Sequence, residues 1–124
     1  MPFFYPRLVG LVLVLTSCVV TAQSDAAIGL QIMTDRTGGN CVVCHTLPGV
    51  PGPASDFGPT LQDAGKRYSA GQLRQWVVDA RVIRTDTLMP PFGTTQGTLQ
   101  SVRAAPILNE EQIRQVVAAL QAFQ

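Results

Sequence analysis

Cys41-Val42-Val43-Cys44-His45 is the stretch on which this sequence turns. Its five residues contain the only histidine of the chain and two of its three cysteines. Three chemistries draw on so close a cysteine pair. A thioredoxin-like dithiol needs the pair at the start of a helix that follows a strand, whereas here a helical segment and Gly38-Gly39 precede it. A structural zinc ion needs four ligands, and this stretch supplies three, with no second CxxC elsewhere. Covalent haem attachment uses all three groups: each thiol adds to a haem vinyl group, and the histidine reaches the iron. Residues three apart on a helical turn point to nearly the same side, which suits two neighbouring vinyls. The spacing points to one haem c, with thioethers at Cys41 and Cys44 and His45 as an axial iron ligand.

The second axial ligand follows by elimination. No other histidine exists, and beyond Met1 the methionines are Met33 and Met89. Met33 falls within a helical segment, where packing is its simplest role. Met89 stands in Leu88-Met89-Pro90-Pro91-Phe92. Two prolines forbid helix there and bias the preceding residue toward an extended backbone, a way to present a thioether from a loop to the far face of a haem. Lys66 would first have to lose its proton. Met89 is the expected ligand, and a His/Met-ligated iron transfers electrons with no position left for substrate. Pro59 in Gly58-Pro59-Thr60-Leu61 is placed to accept the His45 Nδ1–H through its carbonyl, which would orient the ring. Trp76, Phe92 and Phe57 are candidates to pack on the haem, and Arg67 is either a partner for a haem propionate or a solvated cation.

The 124-residue chain begins MPFFYPRLVGLVLVLTSCVVTAQS, the anatomy of a secretory signal. Arg7 precedes an apolar run, Leu8–Leu15, that is too short for the ~20 residues of a membrane span. Cleavage after Val20-Thr21-Ala22 would leave residues 23–124 as one domain. Leu15-Thr16-Ser17-Cys18 is the alternative, a lipoprotein box ending before Cys18. Losing Arg7 reduces the nine Lys and Arg to eight, equal to the eight Asp and Glu. A chain of near-zero charge with its arginines dispersed does not suit nucleic acid. A chain this short buries a limited core, so a prosthetic group would form much of it.

Three helices are expected, with no strand alternation and no internal repeat. The first runs from Ser24 or Asp25 to Arg36, with Ile28 and Ile32 on one face beside Leu30 and Met33, and ends on Gly38-Gly39 in left-handed geometry. The second starts at Ser69, whose spacing to Gln72 is that of a capping box; Leu73, Trp76, Val77 and Ala80 form its apolar stripe. The third starts at Asn109, capped with Gln112, and buries Ile113, Val116, Val117 and Leu120. Two Pro- and Gly-rich loops, the second spanning Thr85–Leu108, separate the helices. Loops of that length in a small domain serve a function.

The whole of residues 23–124 resembles class I c-type cytochromes: helix, CxxCH, a GPxL loop, helix, a Met-Pro loop and a C-terminal amphipathic helix. More narrowly it resembles the SoxX subunit family of the sulfur-oxidising SoxAX cytochromes. The residues that carry this are Gly39-Asn40, Gly58-Pro59 with Arg67-Tyr68, QLRQWVVDARVIRTDTLMPPF (Gln72–Phe92) and ILNEEQIRQVVAAL (Ile107–Leu120). Within Gln72–Phe92, the Asp79-Ala80-Arg81 run leading to Asp86–Pro91 is more specific than CxxCH. The resemblance implies a small all-α fold and a periplasmic location. It also implies a heterodimer with a SoxA-type cytochrome, which would carry the catalytic cysteine. In such a complex, an S-thiosulfotransferase, thiosulfate is joined oxidatively to a cysteine of the SoxY carrier protein. This subunit would have no catalytic residue of its own and would pass electrons to a downstream acceptor cytochrome. The alternative is a free periplasmic electron carrier of another respiratory chain. The chain departs from the family at Ala118-Ala119, where an aromatic residue is common, which leaves open how the first helix packs near Gly29.

Overall fold

The computed structural model describes residues 1, 23–52, 55, 57–98 and 104–124. Apart from Met1, the expected signal segment and its alternative end before Cys18 fall outside the described residues, as do residues 99–103 of the second long loop. Four α-helices carry the fold: α1 (Asp25–Thr34), α2 (Ala64–Arg67), α3 (Ala70–Asp79) and α4 (Glu110–Ala122). Single 3₁₀ turns form at Cys41–Val43 and Ala80–Val82, and the described residues contain no strand. None of the described helices is long and apolar enough to cross a membrane. The architecture is the expected small all-α one.

The two expected capping boxes are both present. Gln72 N donates to Ser69 Oγ at 3.3 Å while Ser69 N donates to Gln72 Oε1 at 2.8 Å. Asn109 and Gln112 repeat the exchange at 2.8 and 2.9 Å. Each box satisfies two amides that a helix start leaves free. The apolar stripes also lie where the periodicity puts them: Leu73, Val77 and Ala80 are buried on and just after α3, with Trp76 half-buried, and Ile113, Val116, Val117 and Leu120 are buried on α4.

The first helix departs from expectation in its end and its face. It stops at Thr34, whose hydroxyl bonds back to Leu30 O and Gln31 O at 3.1 and 3.0 Å. Asp35 then accepts from both the amide and the hydroxyl of Thr37 at 2.8 Å, turning the chain away before Arg36 can continue the helix. The left-handed residue of this turn is Asn40, at φ 46°, and not the glycine pair. Gly39 is required for a different reason: a Cβ there would stand 3.0 Å from Ile32 O and 3.4 Å from Cys41 Sγ.

The buried face of α1 is Gly29 and Met33, with Ile28 and Ile32 only half-buried. A Cβ on Gly29 would lie 1.9 Å from Gln115 O and 3.0 Å from Ala119 Cβ. Thus α1 crosses α4 with backbone nearly on backbone, and the small Ala119 makes the room that an aromatic side chain would fill. At the rim of that crossing Arg114 grips Asp25 through two bonds, 2.6 and 2.9 Å, while also pairing with Glu111. Helix α2 rests on the end of α4 in the same manner, with Gly65 N donating to Phe123 O at 2.9 Å. Three helices converging on α4 leave a hollow on their other side.

Candidate functional site

The hollow is a cavity of about 850 Å³ that opens to solvent on one side. Its floor is apolar, formed by Met33, Leu73, Val77, Val116 and Leu120. A cavity of this size and apolar lining has room for a large apolar guest.

Every candidate from the CVVCH stretch faces it. Cys41, Cys44 and His45 line the cavity together with Pro59, Trp76 and Met89. The 3₁₀ turn over Cys41–Val43 is closed by Cys44 N and His45 N, which both donate to Cys41 O at 3.1 and 2.9 Å. A single tight turn thus carries both thiols and the imidazole to one wall. Both cysteines are free and half-buried. Burial pushes the Cys41 thiol up to about 11, with the neighbouring Cys44 adding to the effect. A redox dithiol works through a lowered thiol pKa, so Cys41 has the opposite character. Among the described residues no three His, Cys, Asp or Glu side chains converge as a group that could hold a metal ion.

His45 is oriented by its neighbours. Its Nδ1 lies 2.6 Å from Pro59 O. A carbonyl oxygen only accepts, so Nδ1 is the donor in this bond and Nε2 is the nitrogen left to face a metal. The loop bearing Pro59 is stitched to the attachment turn by Gly58 N to Cys44 O, 2.7 Å, and Leu61 N to Thr46 O, 3.0 Å. Arg67 braces the same loop, with Nη2 donating to Thr60 O at 2.9 Å and Gln62 O at 3.2 Å. This is a role for Arg67 that the sequence reading did not include. Gly58 is required by the ring itself: a Cβ there would meet His45 Cε1 at 2.6 Å. Glycine lets the backbone lie flat against the imidazole face.

Met89 reaches the cavity from the segment after α3. Its amide donates to Thr87 Oγ1 at 3.2 Å, Pro90 and Pro91 have no amide to offer, and the chain is caught again by Phe92 N to Val77 O, 3.3 Å, and Gly93 N to Val78 O, 3.0 Å. Met89 is half-buried, Phe92 is buried and Phe57 is exposed at the cavity mouth, 71% accessible. Met33 lines the cavity too, though only 1% accessible and packed in the core.

The residues present fit a covalently held haem. Two thiols three positions apart and an imidazole with a free Nε2 share a wall, a thioether enters from a separate segment, and apolar side chains line the remainder.

No protein-family model and no curated protein sequence matches the chain. Among solved structures it is similar to the crystal structure of SoxXA from P. pantotrophus, with 35% sequence identity and a TM-score of 0.71. The match covers 82% of this chain and 83% of that one. Identity at this level over nearly the full length of both chains, on an all-α fold that presents CxxCH and a Met-Pro segment to one cavity, shows kinship and not only a shared architecture: the chain belongs to the SoxX family, with a class I cytochrome c-like domain.

Proposed function

We propose that this chain is the haem-bearing, electron-accepting subunit of a SoxXA-type complex. In this reading Cys41 and Cys44 would bond one haem c, His45 and Met89 would hold its iron, and Trp76 would pack against it. The domain is residues 23–124, exported to the periplasm after removal of residues 1–22. The complex pairs it with a SoxA-type subunit, joins thiosulfate oxidatively to the cysteine of a SoxY-type carrier, and hands the electrons to a downstream cytochrome.

The observation that carries the reading is the meeting of Cys41, Cys44, His45 and Met89 on a single apolar cavity in a SoxX-family chain. When bound, haem supplies a one-electron ferric–ferrous couple. The chain's own residues do the rest. The Pro59 carbonyl holds the proton on His45 Nδ1 and raises the basicity of Nε2. Gly58 fixes the ring plane from below. The apolar floor would shield the buried side of the group from water, and the Met89 thioether would favour its reduced state. With both mature thiols committed to attachment, no cysteine remains on this chain for thiosulfate chemistry, and that step falls to the partner.

The test is isolation of the native protein from thiosulfate-grown cells. Co-purification with a second, SoxA-like cytochrome and thiosulfate-dependent reduction of the haem on this chain are expected. A lone protein whose haem stays oxidised under thiosulfate would contradict the proposal. Met89→Ala is expected to abolish the Met–ferric charge-transfer band and lower the potential, and an unchanged spectrum would refute that ligand.

A further inference from the structure

The Asp79-Ala80-Arg81 run plays no part in the site described above, and none of the three residues lines the cavity. Its contacts are nonetheless the most enclosed electrostatic cluster among the described residues. Asp79 leaves α3 with an extended backbone. Its Oδ1 accepts from Arg81 N at 3.1 Å and Nε at 2.8 Å, and its Oδ2 accepts from Nη2 at 2.8 Å. The two side chains are 17% and 30% exposed, against 45–77% for the partners in every other ion pair of the described residues. Fixed in this way, the guanidinium reaches across to the chain beyond Met89. Nη2 donates to Gln96 O at 2.6 Å and Nη1 to Gly97 O at 3.3 Å. Gly97 takes φ +67°, and a Cβ there would stand 3.1 Å from Arg81 Nη1, so the turn is shaped to the arginine.

We infer that Asp79 and Arg81 form a latch that holds the Met89 segment against the cavity. The inference rests on the reading of Met89 as an iron ligand. Between Met89 and Phe92 the two prolines provide no backbone donor, so the ligand stretch has only the short-range Met89 N to Thr87 Oγ1 bond of its own. The ties lie on either side: Ile83 N and Arg84 N to Ala80 O before it, Phe92 N and Gly93 N to the last carbonyls of α3 after it, and then Arg81. Arg81 belongs to the base of the segment and grips its distal limb. It is a positioning pair with Asp79, acting through Met89.

A latch sets how often the segment opens. An external ligand that binds only the open state has its affinity scaled by the open fraction. Imidazole titration of the ferric, haem-loaded protein reads that fraction. Arg81→Gln is expected to tighten imidazole binding about tenfold, which converts to ~1.4 kcal/mol of lost closure. Arg81→Lys keeps the charge without the planar fork and is expected to fall between native and Arg81→Gln. Asp79→Asn added to Arg81→Gln is expected to add nothing, because the two act as one unit. Arg74→Gln, which breaks the Arg74–Glu110 pair between α3 and α4, is expected to leave imidazole affinity unchanged. Native affinity in both Arg81 variants, or equal tightening in Arg74→Gln, overturns the latch. Absence of the Met–ferric band from the native protein overturns the Met89 reading instead, so the two failures are distinguishable.

Discussion

Replacing Gly58 with alanine tests the account with a single methyl group. The Cβ would be placed 2.6 Å from His45 Cε1, 2.8 Å from Nδ1 and 3.0 Å from Nε2. Carbon contacts are comfortable at about 3.5 Å or more, so the ring would have to retreat by about 1 Å. It has no such freedom, because Nδ1 is held 2.6 Å from the Pro59 carbonyl and Gly58 N is itself bonded to Cys44 O at 2.7 Å. The backbone of Gly58 lies outside the left-handed region, so the methyl group alone is at fault. Overpacking of this kind costs ~1–3 kcal/mol. For a domain near this size each kcal/mol moves the melting temperature by about 4–8 °C. The haem-loaded Gly58→Ala protein should therefore melt ~5–20 °C lower, with a perturbed visible spectrum as the imidazole tilts. Gly52 in the same loop is the control: nothing lies within 4 Å of its Cβ position, and Gly52→Ala should match the native protein or gain up to ~1 kcal/mol. If both variants melt with the native protein and share its spectrum, Gly58 is not a seat for the ring.

Other consequences follow from the same contacts. Gly29→Ala would press a methyl group to 1.9 Å from the Gln115 carbonyl; a backbone atom yields little, so urea unfolding should show a loss at the upper end of the overpacking range, ~3 kcal/mol. Gly71→Ala, on α3 with nothing within 4 Å, should instead gain ~0.5–1 kcal/mol. The Arg114 guanidinium holds Asp25 and Glu111 below their ordinary values of 3.8 and 4.5, and Arg81 does the same for Asp79. A carboxyl depressed in the folded state stabilises above its unfolded pKa and loses that contribution as pH falls through the folded one. Denaturant midpoints should therefore be level from neutrality down to about pH 5 and decline below the ordinary carboxylate values, with a shallower acid limb in Arg114→Gln.

Much of this was legible in the sequence because it depends on short-range rules. A capping box needs only Ser69 with Gln72 or Asn109 with Gln112, and the α3 and α4 stripes are read from the 3.6-residue period alone. The CVVCH turn and the proline-stiffened Met89 segment were legible because each is local chemistry with few alternatives. What escaped depends on contact between distant parts of the chain. Helix α1 buries Gly29, a residue invisible to an apolar count, because Ala119 of α4 allows the two backbones to meet. A four-residue helix such as Ala64–Arg67 has too few positions to show a period. Gly58 and Arg67 act on groups up to thirteen residues away in sequence, and no local pattern announces such a partner. The glycine pair misled for the opposite reason: glycine signals freedom, and here Gly39 supplies space while Asn40 takes the left-handed turn.

Denaturing electrophoresis of the protein exported from cells with active haem-attachment machinery, stained for haem and followed by intact mass, tests the central claim most directly. The account predicts a stained band and the mass of the chain plus one haem, both lost when Cys41 and Cys44 are replaced by serine. An intact, colourless polypeptide at the mass of the bare chain would contradict it.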